Sequence, residues 1–324
     1  MKKTVYVTRP VPGAAISMLE KEFHVEVNPE DRPLTREELK KNVRGKDGVL
    51  CMLSDVIDGE LMDIAGPNCK IFANYAVGYN NVDVSAATKR GILITNTPGI
   101  LDNATADLAW ALLFAVSRRV VESDEFLRAG KFHGWAPTMF LGRDITGKTL
   151  GVVGAGRIGT NFAKKSKGFD MKVLYTDIRP NHEFERLTGG KYVSLEELLE
   201  QSDFVSLHVP LMEGTKHLIG AEELRRMKKT SILINTSRGP VVDEVALVRA
   251  LRDGEIWGAG LDVFEKEPEM AEGLAELSNV VVVPHIASAT IETREGMGEI
   301  AARNIIGVLT GDRPLTCVNP EAME

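Results

Sequence analysis

The chain has 324 residues, more than one hydrophobic core ordinarily organises, so two domains are expected. Hydrophobic residues make up 44% and charged residues 26%, which excludes a disordered or fibrous protein. Thirty-nine basic and forty-six acidic residues leave a formal charge of −7 with no long basic run, which argues against a nucleic-acid or anionic-membrane surface. In chain order, short β-rich runs fall at residues 4–8, 24–28, 48–53, 69–75 and 91–97, with helical patterns such as 35–43 between them. Strand and helix in alternation predict a parallel sheet covered on both faces. Residues 102–119 then read as a strongly apolar helix carrying the chain into a second domain, with Asn103 or Thr105 as its cap. A second series of runs follows at 149–153, 172–177, 204–210, 231–237, 258–264 and 280–286. Six such strands match a complete dinucleotide-binding fold. A last helix over 292–309 is too little for a third domain and is expected to return to the first.

Cys51, Cys69 and Cys317 are odd in number and lack CxxC spacing, so neither a disulfide framework nor a metal site is expected. A reducing compartment, the cytoplasm, fits. Residues 1–12 lack the apolar stretch of an export signal, and the longest apolar run, 108–116, is too short to span a bilayer.

Directly after the strand at 149–153 comes Gly154-Ala155-Gly156-Arg157-Ile158-Gly159, a GxGxxG opening a helix. Gly154 permits a tight turn, Gly156 lets the backbone approach a pyrophosphate, and Gly159 lets the helix pack close to the sheet. The first helical residues, Arg157 and Ile158, offer free N–H groups at the positive end of the helix dipole. Twenty-three positions after Gly154, Asp177 ends the next strand, placed to accept hydrogen bonds from an adenosine ribose. A carboxylate there repels a 2′-phosphate by as much as ~4 kcal/mol at short range and an effective dielectric of about 20. NAD is therefore expected over NADP. Arg179, two residues on, partly offsets that repulsion and keeps NADP open.

Three residues near the ends of late strands have the chemistry of a carbonyl reduction: Arg238 in NTSRGP, Glu267 in LDVFEKEP and His285 in VVPHIAS. Together with VGYNNVD near residue 80, NATADLAWALLFAVSRR and GKTLGVVGAGRIG, these segments resemble the D-isomer-specific 2-hydroxyacid dehydrogenases over nearly the whole chain. The resemblance implies two doubly wound α/β domains. One is a flavodoxin-like substrate domain over residues 1–99 and 288–324, the other a Rossmann NAD-binding domain over 100–287. It also implies that the Val77 and Gly78 N–H groups hold the substrate carboxylate, which suits a close-approach glycine and two adjacent donors.

Arg238 would offer a planar fork of donors to the carboxylate and the reacting carbonyl. His285 would give the carbonyl oxygen its proton during reduction, and Glu267 would orient the imidazole and favour its charged form. Asp262 in GLDVF resembles the family aspartate at the nicotinamide carboxamide, Thr236 and Ser237 flank the same ring, and Thr105 is a weaker candidate there. His208 and His217 lack such contexts and are read as structural.

Trp135, in FHGWAPTMFLGRDITGKTL, resembles the tryptophan of the glyoxylate and hydroxypyruvate reductase branch, which reaches a neighbouring subunit's substrate pocket and implies a homodimer. Leu53, at the end of an N-terminal strand, would wall a small pocket. The expected reaction is reduction of glyoxylate or hydroxypyruvate, with D-lactate-type or 3-phosphoglycerate chemistry as the alternative. The short segment after residue 310 disfavours the larger phosphoglycerate enzymes, and Glu267 stands where related formate dehydrogenases carry glutamine. An NAD-sensing corepressor would share the triad; against it, the chain lacks long disordered or basic tails.

Overall fold

The computed structural model describes residues 2–323, and its twelve strands form two sheets in which every pairing is parallel. The first sheet contains β1 (Thr4–Val7), β2 (His24–Val27), β3 (Gly48–Cys51), β4 (Ile71–Asn74) and β5 (Leu93–Thr95) in the order β2-β1-β3-β4-β5. This is the flavodoxin-like winding. The second contains β6 (Thr149–Val153), β7 (Lys172–Thr176), β8 (Lys191–Tyr192), β9 (Phe204–Leu207), β10 (Ile232–Asn235), β11 (Gly258–Leu261) and β12 (Val280–Val282). Its order, β8-β7-β6-β9-β10-β11-β12, is the Rossmann winding with one strand more. The central strands β3, β4, β9 and β10 are buried along their whole length, as helices on both faces require.

The chain divides into a unit of Met1–Leu101 with Ser288–Glu324 and a unit of Asp102–Ala287. In the first, the terminal helix Ile291–Thr310 packs on the helix Ala15–Glu22 and on β3 and β4. Gly298 faces Ala15 there, where an added Cβ would lie 3.0 Å from the alanine methyl. The predicted helix near residue 35 runs over Arg36–Val43, with Thr35 and Glu38 forming a reciprocal capping box.

In the second unit the apolar helix runs over Asp102–Ser117. Trp110 anchors it, donating from Nε1 to the Phe162 carbonyl at 3.0 Å, with ring centroids 4.9 Å from Phe162 and 5.3 Å from Phe169. Asn103 and Thr105 are the second and fourth residues of this helix, so neither is its cap, a correction to the sequence expectation. The strand β8 has no counterpart among the expected strands: two exposed residues carry no apolar alternation to reveal them. The ladder of β6 ends with its apolar run at Val153; in the other ten the ladder stops one to four residues before the run does, because the chain turns out of the sheet at the carboxyl ends.

Candidate active site

The winding of the second sheet reverses between β6 and β9, which opens a crevice at their carboxyl ends. Gly154 leaves β6 at φ +98°, and its N–H donates to the Thr176 carbonyl at 2.9 Å. A side chain there would meet the His208 carbonyl, with a Cβ 2.7 Å from its oxygen. An added Cβ at Gly159 would lie 2.1 Å from the Gly154 carbonyl oxygen, so the helix Arg157–Lys165 sits directly against the turn. At Gly156 an added Cβ would meet nothing within 4 Å, and no side chain caps the helix. Open space in front of uncapped N–H groups is what a pyrophosphate requires, so the turn fits a dinucleotide. Arg157, at the start of that helix, pairs with Asp102 at 3.1 Å.

Asp177, just after β7, accepts from the Ala155 N–H at 2.8 Å through one oxygen and from the Ile178 N–H at 2.7 Å through the other. The carboxylate therefore ties the glycine turn to the end of β7. Each oxygen has a further lone pair for a ligand hydroxyl.

Arg238 follows β10 in a turn organised by Asn235, a buried side chain that the sequence expectations do not include. Asn235 Oδ1 accepts from Ser237 N–H at 3.0 Å and Ser237 Oγ at 2.8 Å, and its Nδ2 donates to the Arg238 carbonyl at 3.0 Å. An asparagine bonding two residues ahead is an Asx turn, so its place at the end of an apolar run was the available signal. The Arg238 guanidinium donates to the Ser237 carbonyl at 2.7 Å. Burial pulls its pKa down, and the Glu267 charge opposes this. Thr236 is buried with its hydroxyl lacking a hydrogen-bond partner among the described residues, which leaves a polar atom for a ligand such as a carboxamide.

The loop after β11 carries Glu267 to this turn. At Gly239 an added Cβ would fall 1.9 Å from the Phe264 carbonyl carbon and oxygen, so two backbones touch where no side chain fits. Glu267 Oε1 accepts from the Phe264 N–H at 3.1 Å, and Oε2 meets His285 Nδ1 at 2.9 Å. Burial raises the Glu267 carboxyl, but the His285 hydrogen bond and charge, the Phe264 N–H and Arg238 outweigh it, and the net direction is down from 4.5. The group is an anion at neutral pH.

His285 takes a left-handed backbone, φ +52°, which for a side chain of this size needs outside support. Asp262, fully buried, supplies it: its oxygens accept from the Ile286 N–H at 2.6 Å and the Ala287 N–H at 2.9 Å, while its carbonyl accepts from the His285 N–H at 2.9 Å. Burial raises the Asp262 carboxyl, opposed by those two N–H groups and by His285.

Arg238, Glu267 and His285 thus belong to one loop cluster at the carboxyl ends of β10, β11 and β12. His208 lies apart, buried, with Nε2 2.9 Å from Ser206 Oγ and its pKa pushed down to about 3 by burial. His217 pairs with Glu265 at 2.8 Å, bracing the Glu267 loop from outside.

In the other unit Leu53 is 39% exposed just beyond β3, and Val77 and Gly78 lie half-buried in the loop after β4. Trp135 belongs to the second unit, where it is 82% exposed. It follows the helix Val120–Arg128, which buries no residue and also exposes Val120, Val121 and Leu127.

A Rossmann sheet with a phosphate-ready glycine turn, beside an arginine and a carboxylate-paired histidine, defines a nicotinamide-dependent oxidoreductase. The chain belongs to the D-isomer specific 2-hydroxyacid dehydrogenases, the profile of whose NAD binding domain matches residues 110–287. Glyoxylate reductase of Thermococcus gammatolerans is 51% identical over all of this chain and 98% of its own length, and that of Pyrococcus horikoshii is 51% identical over the same shares. Among solved structures, a protein from Thermus thermophilus is 46% identical with a TM-score of 0.92, covering 97% of this chain and 99% of its own. The NADPH-dependent glyoxylate/hydroxypyruvate reductase of Sinorhizobium meliloti, in complex with NADP and malonate, is 32% identical with a TM-score of 0.87, covering 99% and 98%.

Proposed function

We propose that this enzyme reduces glyoxylate, and hydroxypyruvate beside it, to glycolate and D-glycerate, with NADH as the preferred reductant. The observation that carries the proposal is the Glu267–His285 pair at 2.9 Å, in the same loop cluster as the half-buried Arg238. The reactions named for the glyoxylate reductases it matches along its full length support the substrate choice.

A bound nicotinamide supplies the hydride. Glu267 holds His285 by Nδ1, which leaves Nε2 to give the proton to the ketone or aldehyde oxygen as negative charge develops on it. Arg238 polarises that carbonyl and pairs with the substrate carboxylate. The N–H groups of Val77 and Gly78 hold the same carboxylate, and Leu53 limits the room beside it. Gly154, Gly156, Arg157, Ile158 and Gly159 receive the pyrophosphate. Asp177 receives the adenosine ribose, disfavouring a 2′-phosphate by its charge, while NADP stays accessible through Arg179. Thr236, Ser237, Asp262 and Thr105 border the nicotinamide. The exposed Val120, Val121, Leu127 and Trp135 form the face of a homodimer, in which Trp135 reaches the substrate of the neighbouring subunit. The setting is the cytoplasm. Among the described residues no helix is long and apolar enough to cross a membrane.

The test follows NADH and NADPH absorbance with glyoxylate, hydroxypyruvate, pyruvate and 3-phosphohydroxypyruvate, and weighs the same preparation by light scattering. The highest kcat/KM is expected with NADH and one of the first two acids, in a particle of twice the 35.4 kDa chain mass. A higher kcat/KM with either of the other acids overturns the substrate choice, preference for NADPH overturns the cofactor choice, and a monomer overturns the dimer.

A further inference from the structure

The loop after β4 shows how a carboxylate anchor could be aimed, an inference that rests on the proposed reduction of a 2-keto acid. Three successive carbonyls of this loop are tied to the body of their own unit. The Ala76 carbonyl accepts from the Thr97 N–H at 2.9 Å, the Val77 carbonyl from Asn96 Nδ2 at 2.8 Å, and the Gly78 carbonyl from Asn74 Nδ2 at 2.9 Å. A trans peptide is planar, with its N–H opposite its C=O. Fixing the three carbonyls therefore fixes the N–H groups of Val77, Gly78 and Tyr79 on the opposite sides of their peptide planes. None of the three donates to another group among the described residues. Val77 and Gly78 are half-buried and Tyr79 next to them is exposed; half-buried donors otherwise find a partner, so the run is poised for a ligand acceptor that Tyr79 can reach from its open end.

The tethers are themselves braced. Asn74, fully buried, exchanges amide contacts with Asn81 at 3.3 and 3.4 Å, and Asn81 also donates to the Asp55 carbonyl at 2.9 Å. The Asn96 carbonyl accepts from Thr316 Oγ1 at 2.7 Å, and Asn304 Nδ2 donates to that hydroxyl at 2.8 Å. A side-chain amide suits this work because it donates to a carbonyl without bringing a charge that would compete for the anion.

We infer that the carboxylate anchor is three amides wide, Val77, Gly78 and Tyr79, and that Asn96 and Asn74 are the positioning residues that aim it. Asn96 is the better target for substitution, because Asn74 is fully buried and a charge there would threaten the fold. Asn96→Ala frees the peptide between Val77 and Gly78, whereas Asn96→Asp sets a carboxylate against the Val77 carbonyl and drives it away.

With the full-length enzyme and NADH, Asn96→Ala should raise the KM for glyoxylate about tenfold, the worth of one aimed hydrogen bond. Asn96→Asp should raise it further. Both should leave kcat within about twofold and NADH affinity unchanged, since uniform binding is what is lost. In the 15N-labelled wild type with NAD+, adding glyoxylate should move the amide signals of Val77, Gly78 and Tyr79 together. In Asn96→Ala the Gly78 response should weaken most.

A KM unmoved in both variants, with only kcat or thermal stability lowered, would make Asn96 merely structural and overturn the positioning role. An unresponsive Tyr79 amide would overturn the third donor. If Asn96→Asp does not fold, Asn96→Ala and the wild-type titration still decide. If the wild type reduces no 2-keto acid while the three amides respond to glyoxylate, the reaction assignment fails and the anchor stands.

Discussion

Glu267 illustrates how a single side chain takes its state from competing neighbours. Burial alone would make its carboxyl a weaker acid, yet His285, the Phe264 N–H and Arg238 together hold it below its ordinary value, so it is an anion at neutral pH. In Glu267→Gln the hydrogen bond to His285 Nδ1 loses its charge, and the ring loses part of what fixes its orientation. The kcat/KM for glyoxylate reduction should fall by about tenfold, with NADH affinity kept. The measurement is the steady-state kinetics of both forms, and an unchanged kcat/KM would show that the carboxylate does not position the imidazole. That Arg238, Glu267 and His285 belong together was legible in the sequence because each sits in a distinctive segment, and the structure brings them into one loop cluster. Asn235 and Asp262 as braces were not, since their partners are backbone groups that become visible only once the turns are built.

At the scale of elements, the site depends on loops brought together by close backbone contact. Gly239 is where the turn after β10 meets the loop after β11, and a methyl there would need space now filled by the Phe264 carbonyl. Gly239→Ala should push the Glu267 loop outward and lower kcat/KM by about a hundredfold, the scale of a displacement near 1 Å at reacting groups. NADH titration should show cofactor affinity kept, because the glycine turn after β6 lies elsewhere on the sheet. Wild-type kcat/KM in this variant would mean that the contact has no bearing on catalysis. Strand periodicity revealed eleven of the twelve strands, and the helical pattern at 35–43 matches the helix Arg36–Val43. It failed at the start of the helix Asp102–Ser117, where three polar residues within the first four left the boundary open, and at β8, which is too short and exposed to show a pattern.

For the whole molecule, two doubly wound sheets were foreseeable because each long alternation of apolar run and helix pattern admits few right-handed parallel arrangements. The two strand orders differ, and that difference was carried by the family resemblance rather than by periodicity, since windings 2-1-3-4-5 and 3-2-1-4-5-6 give the same local alternation. The match to whole-length glyoxylate reductases extends the same reading to chemistry. In the proposed mechanism His285 passes a proton to the reduced oxygen, which a side-chain amide cannot do. The most direct measurement is therefore the turnover of glyoxylate with NADH by His285→Asn beside the wild type, with NADH binding followed by fluorescence in both. We expect kcat to fall by about 10²–10⁴ while NADH affinity is unchanged. Wild-type kcat in the variant would contradict the account.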